Sequence, residues 1–219
     1  MIKIENTDTF GWKAAIRGMR NPMNSWDKSD SYFGCDEIFC IDCPLFEDEC
    51  CEHTPILIGE NDLKLMKSLT KAGSDHSKFL RMINVTCDIT APLYWVAEHD
   101  TYKVSTVRNS CSFMHKGVSK PFELSDFTIE HGCESEILKI IDTLNFLRNV
   151  YLETKDFKYF RMIRQILPQG YNVRYTWQAN YQVLKTIYFA RRNHKLDEWR
   201  EFCEWCELLP YFKEVCLDD

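Results

Sequence analysis

Between Lys155 and Lys195 the chain carries nine lysines and arginines against one acid, Asp156, while the remainder holds eighteen basic and thirty-two acidic residues. In a chain of net charge −6, that segment predicts an anionic ligand, because the local field of a cleft, not total charge, sets what it attracts. Arg164, Asn180 and Arg191 lie inside this stretch, Asn180 offering a neutral hydrogen-bonding head and the arginines charged groups. A second candidate centre is the cysteine-rich stretch Cys35, Cys40, Cys43, Cys50, Cys51 and His53. The pair Cys40-Ile41-Asp42-Cys43 has the separation with which a loop wraps two thiolates onto one metal, and Cys35 with Cys50, Cys51 or His53 would complete a tetrahedral structural zinc site. The alternative is a set of free thiols acting as small hydrophobes.

Helical spacing must position the first group. Thr176 serves as an N-cap and no Gly or Pro interrupts Trp177 to Arg192, so a helix is predicted there. Asn180, Leu184, Ile187 and Arg191 then share one face, with Asn180 and Arg191 roughly 16 Å apart along the axis. That spacing suits an extended ligand; equally, it suits a surface amide and a cation that complements the helix C-terminus. Upstream, Ile2 and Ile4 predict a strand, and Ala14 to Met19 a helix capped by Thr9. Asn61 is the expected cap of a helix through Leu69 that Gly73 stops. Ile83, Val85, Cys87 and Ile89 alternate as a half-buried strand, and Ala91-Pro92 opens a helix with Pro at its first position. Helices are predicted from Glu134 to Leu152, from Asp156 to Pro168, and from Leu196 to Leu209, with a short strand at Tyr171, Val173 and Tyr175.

The bulk properties exclude several classes. The 219 residues, 45% hydrophobic and 14% aromatic, suffice for a sizeable core, read as one domain with a cysteine-rich insertion at about 29–54. No apolar run reaches membrane-span length, and the first residues lack the apolar stretch of a signal peptide. Eleven cysteines, an odd number, then point to reduced thiols in a cytoplasmic protein. The acidic balance disfavours a nucleic-acid polymer as partner, since that requires phosphate neutralisation over an extended surface.

The order Arg164-Gln165-Ile166-Leu167-Pro168, then Asn180 twelve residues after the proline, then Arg191 eleven residues later resembles the C-terminal half of the flavin-dependent thymidylate synthases. The resemblance runs from about Gly73 to about Phe212. It implies nucleotide contacts for Arg164 and Arg191 and a flavin contact for Asn180; Gln182 stands where the family usually has a further Arg. Ser77, in Ser74-Asp75-His76-Ser77, matches a turn hydroxyl that meets a flavin phosphate. Read on without a gap, the family's Gln-x-x-Arg-His-Arg falls on Glu98 and Thr101-Tyr102-Lys103. Its acidic residue falls on Asn109, its serine on Cys111 and the Arg two residues later on Phe113. The signature is therefore almost wholly rewritten: Lys103 keeps charge without the fork, Tyr102 keeps a ring, and Phe113 removes a cation for which His115, Lys116 or Arg108 are nearby substitutes.

What the resemblance implies is an α+β fold, helices around a small, mostly antiparallel sheet, assembled as a homotetramer. The implied chemistry is FAD-dependent reductive methylation of dUMP, with NADPH as reductant and methylenetetrahydrofolate as carbon donor. Arg191 would polarise the uracil. Glu98, Thr101, Cys111 and Arg164 would complete the nucleotide site, and Ser77, Tyr102, Lys103, Asn109 and Asn180 would hold the flavin. Cys111 is either a nucleophilic thiolate toward the pyrimidine ring or one small residue among eleven cysteines. The same scaffold acting on another pyrimidine nucleotide or one-carbon unit, hydroxymethylation included, and a catalytically silent nucleotide- or flavin-binding protein are the other readings.

Overall fold

The computed structural model describes residues 2–33 and 56–217. The fold class is α+β: helices with a small, mostly antiparallel four-stranded sheet. The strands are β1 (Lys3–Phe10), β4 (Asn84–Pro92), β5 (Val107–Ser110) and β6 (Asn172–Asn180), in the order β1-β4-β6-β5. Two short strands, β2 (Tyr32–Phe33) and β3 (Ile56–Leu57), pair antiparallel by themselves. Among the described residues no helix is long and apolar enough to cross a membrane.

The chain divides into two compact units. The first comprises Met1–Asp8, Thr86–Gln178 and Arg191–Cys203, and the second Thr9–Val85, Ala179–Ala190 and Glu204–Asp219.

In the first unit, β5 runs antiparallel to β6, with Arg108 opposite Trp177 and Ser110 opposite Tyr175, and Cys111 extends the ladder by donating its N–H to the Arg174 carbonyl at 3.0 Å. Alternate residues of β4 and β6 are buried, including Cys87, Ile89, Tyr175 and Trp177, as the period-2 pattern requires. Helices α3 (Leu93–His99) and α8 (Asp197–Glu207) bring Trp95, His99, Trp199 and Phe202 against Tyr175 and Trp177 in an aromatic core. The first turn of α3 is satisfied from outside: Leu93 and Tyr94 donate their N–H groups to the carbonyls of Tyr171 and Gln169, which settles two of the orphan donors every helix start presents. A second apolar cluster joins α5 (Glu134–Thr154) to α6 (Phe157–Ile166) through Ile141, Leu144, Leu147, Phe160 and Ile163. Each such side chain contributes about 1.5–3 kcal/mol on burial. Asp156 caps α6 by accepting from Lys158 N at 3.0 Å.

The second unit holds α1 (Trp12–Arg20), α2 (Glu60–Lys71) and all but the last residue of α7 (Tyr181–Arg191). Helix α1 starts after Gly11, not at a Thr9 cap. Gly11 has φ 91°, and a Cβ there would lie 2.0 Å from the Met82 carbonyl oxygen, so only glycine allows the entry. The Thr9 hydroxyl instead accepts from the Trp12 indole at 3.3 Å. Helix α2 is capped from a distance: the Asp30 carboxylate accepts from Asn61 N at 2.9 Å and Asp62 N at 3.1 Å, displacing the expected Asn61 cap. Asp62 is fully buried. It binds Arg20 Nε at 2.6 Å, both hydroxyls of Ser29 and Ser31, and the N–H groups of Asp30 and Ser31. Burial alone would raise its pKa, but the bonds from Ser31, Ser29 and Arg20 outweigh that and hold it below the ordinary value.

Two boundaries differ from the sequence reading. Pro92 closes β4 and is the N-cap of α3, one residue before the helix. The predicted helix from Trp177 is cut at its start: β6 continues to Asn180 and α7 begins at Tyr181. Tyr175, Trp177 and Ala179 alternate inward, and burial of those rings on a pleated surface decides against the helical period.

Candidate functional site

Glu98 and Arg191 meet in the first unit. Glu98 sits in the last turn of α3, Tyr102 in the helical turn after it, and Arg191 closes α7. Arg191 donates Nη1 to Glu98 Oε2 at 2.8 Å and Nε to the Tyr102 hydroxyl at 2.9 Å. Its guanidinium carbon lies 4.7 Å from the Trp199 ring centre and 5.5 Å from that of Tyr102, close enough for cation–π attraction. Glu98 Oε2 also accepts from Trp199 Nε1 at 3.0 Å, with His194 Nε2 at 3.7 Å. Arg191 is thus clamped on two edges and one face, and Nη2 has no partner among the described residues. A guanidinium held this way costs little entropy to present to a ligand. Thr101 is exposed and spends its hydroxyl on the Glu98 carbonyl at 2.7 Å, satisfying the end of α3; Lys103 next to it is exposed.

A cleft of about 280 Å³ opens between the segment after β5, which carries the short helix α4 (Phe113–Lys116), and the start of β6, lined among others by Cys111, Phe113, Lys116, Lys120, Tyr171 and Arg174. Its cations differ in availability. Lys120 is paired with Asp126 at 2.7 Å. Arg174 is paired with Asp88 at 3.1 Å, whose pKa is pulled down to about 2 by bonds from Thr176, Asn6 and Arg174. Lys116 is exposed and has no ion-pair partner among the described residues. Cys111 is exposed at the same edge. Phe113 offers its ring to Arg164, whose guanidinium carbon is 4.9 Å from the ring centre. Asn109 lies on β5 opposite Thr176, solvent-exposed, and its neighbour Arg108 is paired with Asp100 at 2.6 Å and lies 5.0 Å from the Tyr175 ring centre.

The sequence-predicted residues are therefore distributed as follows. Glu98, Tyr102 and Arg191 form one bonded cluster, with Thr101 and Lys103 in the same turn region; Cys111 and, through Phe113, Arg164 belong with the cleft. Ser77 and Asn180 belong to the second unit and are both buried. The Ser77 hydroxyl donates to the Gly73 carbonyl at 3.1 Å, and Asn180 Oδ1 accepts from Val183 N at 3.1 Å as a cap of α7. Asn180 is thus a cap at the head of α7 and not one member of a helical stripe with Arg191. The proposed metal ligands Cys35, Cys40, Cys43 and Cys50 lie outside the described residues; among the described residues no group of three His, Cys, Asp or Glu side chains could hold a metal ion.

Sequence reasoning missed His99. It is 2% exposed, stacked on Trp95 at 4.7 Å, in contact with Trp177, and bonded through Nδ1 to the Tyr175 hydroxyl at 3.2 Å. Its Nε2 has no hydrogen-bond partner among the described residues. Burial, aided by the Arg108 charge, lowers its pKa from 6.5 to about 3, so it is neutral. The signal was present as Trp95 and His99 one helical turn apart.

No family model and no curated protein matches the sequence. Solved structures do. The flavin-dependent thymidylate synthase ThyX of Helicobacter pylori, in a crystal structure complexed with FAD and dUMP, superposes with a TM-score of 0.68 at 14% identity, covering 99% of this chain and 98% of that one. A second crystal structure of Helicobacter pylori ThyX with FAD and dUMP gives 0.67 at 14% identity, covering 100% and 98%. The fold is that of the flavin-dependent thymidylate synthases. That correspondence extends over the whole chain, beyond the Gly73 to Phe212 range in which motifs could be matched.

Proposed function

We propose that this chain is an FAD-dependent, thymidylate synthase-like enzyme that methylates dUMP reductively, using methylenetetrahydrofolate and NADPH, as a cytoplasmic homotetramer. The observation that carries the reading is the full-length likeness to a protein complexed with FAD and dUMP, joined to the clamped Arg191 at the position the sequence motif assigns to nucleotide contact. The donor set fits a planar, phosphorylated cofactor in part. Tyr102 offers a ring and hydroxyl, Lys103 an exposed ammonium and Asn109 an exposed amide. Ser77 and Asn180 would first have to exchange the bonds they make within their own unit. When bound, the flavin would supply hydride to the carbon being reduced.

The chain's own share is orientation and electrostatics. Glu98 and Tyr102 hold Arg191 so that Nη2 meets a pyrimidine oxygen and stabilises charge as it develops there. In the cleft, Lys116 is the lining cation with no ion-pair partner among the described residues and would take a phosphate, while Phe113 and Tyr171 present apolar faces to sugar or base. Arg164 is held beside that wall by stacking on Phe113. Substitution of Phe113 for a family Arg favours, as a second reading, another pyrimidine nucleotide on the same scaffold, because the cation supply around the substrate is changed.

The test is the visible spectrum of the purified protein, then bleaching by NADPH, then transfer of label from methylenetetrahydrofolate to dUMP or deoxycytidylate. Yellow protein that labels dUMP supports the reading, and labelling of deoxycytidylate alone moves it to the second one. A colourless preparation that takes up neither FAD nor a pyrimidine nucleotide ends both.

A further inference from the structure

A separate cavity of about 220 Å³ is lined by Lys13, Ile16, Arg17, Arg20, Trp26 and Ser29, all in the second unit. Lys13, Arg17 and Arg20 are spaced four and three residues apart, which puts them on one face of α1. Arg20 is 4% exposed and its charge is met by Asp62. Lys13 and Arg17 are exposed and have no ion-pair or hydrogen-bond partner among the described residues. Arg17 has a structural reason to be there, since a cation in the last turn complements the helix dipole. Lys13 does not: it stands in the first turn, where the same dipole disfavours positive charge. The wall is the Trp26 indole, 52% exposed yet fixed in orientation by its Nε1 bond to Asn21 Oδ1 at 2.8 Å. Among the described residues no carboxylate lines the cavity.

We propose that this cavity is a nucleotide-binding site distinct from the cleft at Cys111, with the phosphate on Lys13 and Arg17 and the base stacked on Trp26. Two cations that line one concave surface and have no ion-pair partner among the described residues select a phosphate. A pinned, half-exposed indole beside them adds a face for any base, and stacking discriminates weakly between bases. The Ser29 hydroxyl is already donated to Asp62 at 2.7 Å, so it can serve the ligand only as an acceptor, for a sugar hydroxyl.

The experiment is calorimetric titration of the full chain with adenosine monophosphate, ribose 5-phosphate and inorganic phosphate, each with the protein pre-saturated with dUMP. The expected order is adenosine monophosphate tightest, about tenfold over ribose 5-phosphate. In Trp26→Ala that advantage disappears, while Lys13→Glu/Arg17→Glu loses adenosine monophosphate binding by at least about tenfold and keeps dUMP binding. Both sites are exposed, and an unchanged thermal midpoint in the variants verifies that the fold is intact. Displacement of dUMP by adenosine monophosphate, affinity unchanged in the double charge reversal, or absence of any adenosine monophosphate binding overturns the proposal. Failure of dUMP binding with adenosine monophosphate binding intact would instead count against the thymidylate synthase reading alone.

Discussion

Acid should unfold this protein through His99. The ring is buried among Trp95, Tyr175 and Trp177 and stays neutral in the fold down to a pKa of about 3, whereas the unfolded chain takes up a proton near 6.5. Because the unfolded state binds more protons between those values, stability is fully present above about pH 6.5 and falls as pH drops toward 3. From the two pKa values, the loss is about 2 kcal/mol at pH 5 and about 3 kcal/mol at pH 4. For a chain of this length that corresponds to a fall in thermal midpoint of roughly 6–12 °C at pH 4. The assay is urea unfolding followed by tryptophan fluorescence at several pH values between 7 and 4, on wild type and on His99→Gln. The variant keeps a polar partner for the Tyr175 hydroxyl but cannot titrate. It should start less stable at pH 7 and lose less on acidification, the difference in slope isolating His99 from the carboxylates common to both proteins. Parallel pH dependences in the two proteins would refute the assignment.

Other outcomes are equally specific. Asp62→Ala leaves the buried Arg20 unpaired and should destabilise the protein by about 3–5 kcal/mol in chemical unfolding, the cost of an uncompensated buried charge; a loss below about 1 kcal/mol would mean that the network is redundant. Glu98→Ala frees both Arg191 Nη1 and Trp199 Nε1 and should weaken dUMP binding on the order of tenfold while costing about 1–2 kcal/mol of stability, the half-exposed pair being partly screened; Glu98→Gln, which can still accept from Trp199, should recover most of the stability. Among the described cysteines, Cys111 and Cys133 are exposed and Cys87, Cys203, Cys206 and Cys216 are buried, with burial pushing Cys87 and Cys216 up to about 12. Native-state alkylation read by peptide mass spectrometry should therefore label the first two and spare the other four until denaturant is added.

Legibility followed the range of the interaction. The helices at Glu134–Thr154 and Phe157–Ile166 and the alternating strand through Cys87 and Ile89 were readable because one local period dominates each. The stretch from Trp177 to Arg192 was not, because it satisfies two periods at once. Leu184, Ile187 and Arg191 fit a helix, Tyr175, Trp177 and Ala179 fit a strand, and no glycine or proline marks the change. Capping failed for a similar reason. Asp30 caps α2 from 31 residues upstream of Asn61, and Gly11 is fixed by the Met82 carbonyl; neither partner lies within the window in which cap signals are sought.

The same limit applies to the site. Arg191, Glu98 and Trp199 are bound to each other across 93 and 101 residues, and no spacing rule reaches that far. A motif match could nominate Arg191 and Glu98 separately, but it described a contact with ligand, not the contact between them. That internal pair changes what Arg191 can do: with Nη1 and Nε engaged, the side chain offers a ligand one fixed nitrogen and not a freely rotating fork. An arginine so constrained is pre-organised for one acceptor position. Replacement by lysine would therefore remove the clamp as well as the donor, so Arg191→Lys should lose dUMP affinity nearly as completely as Arg191→Ala despite keeping the charge. Retention of near wild-type binding by the lysine variant would mean that charge alone, and not the held geometry, is what the site requires.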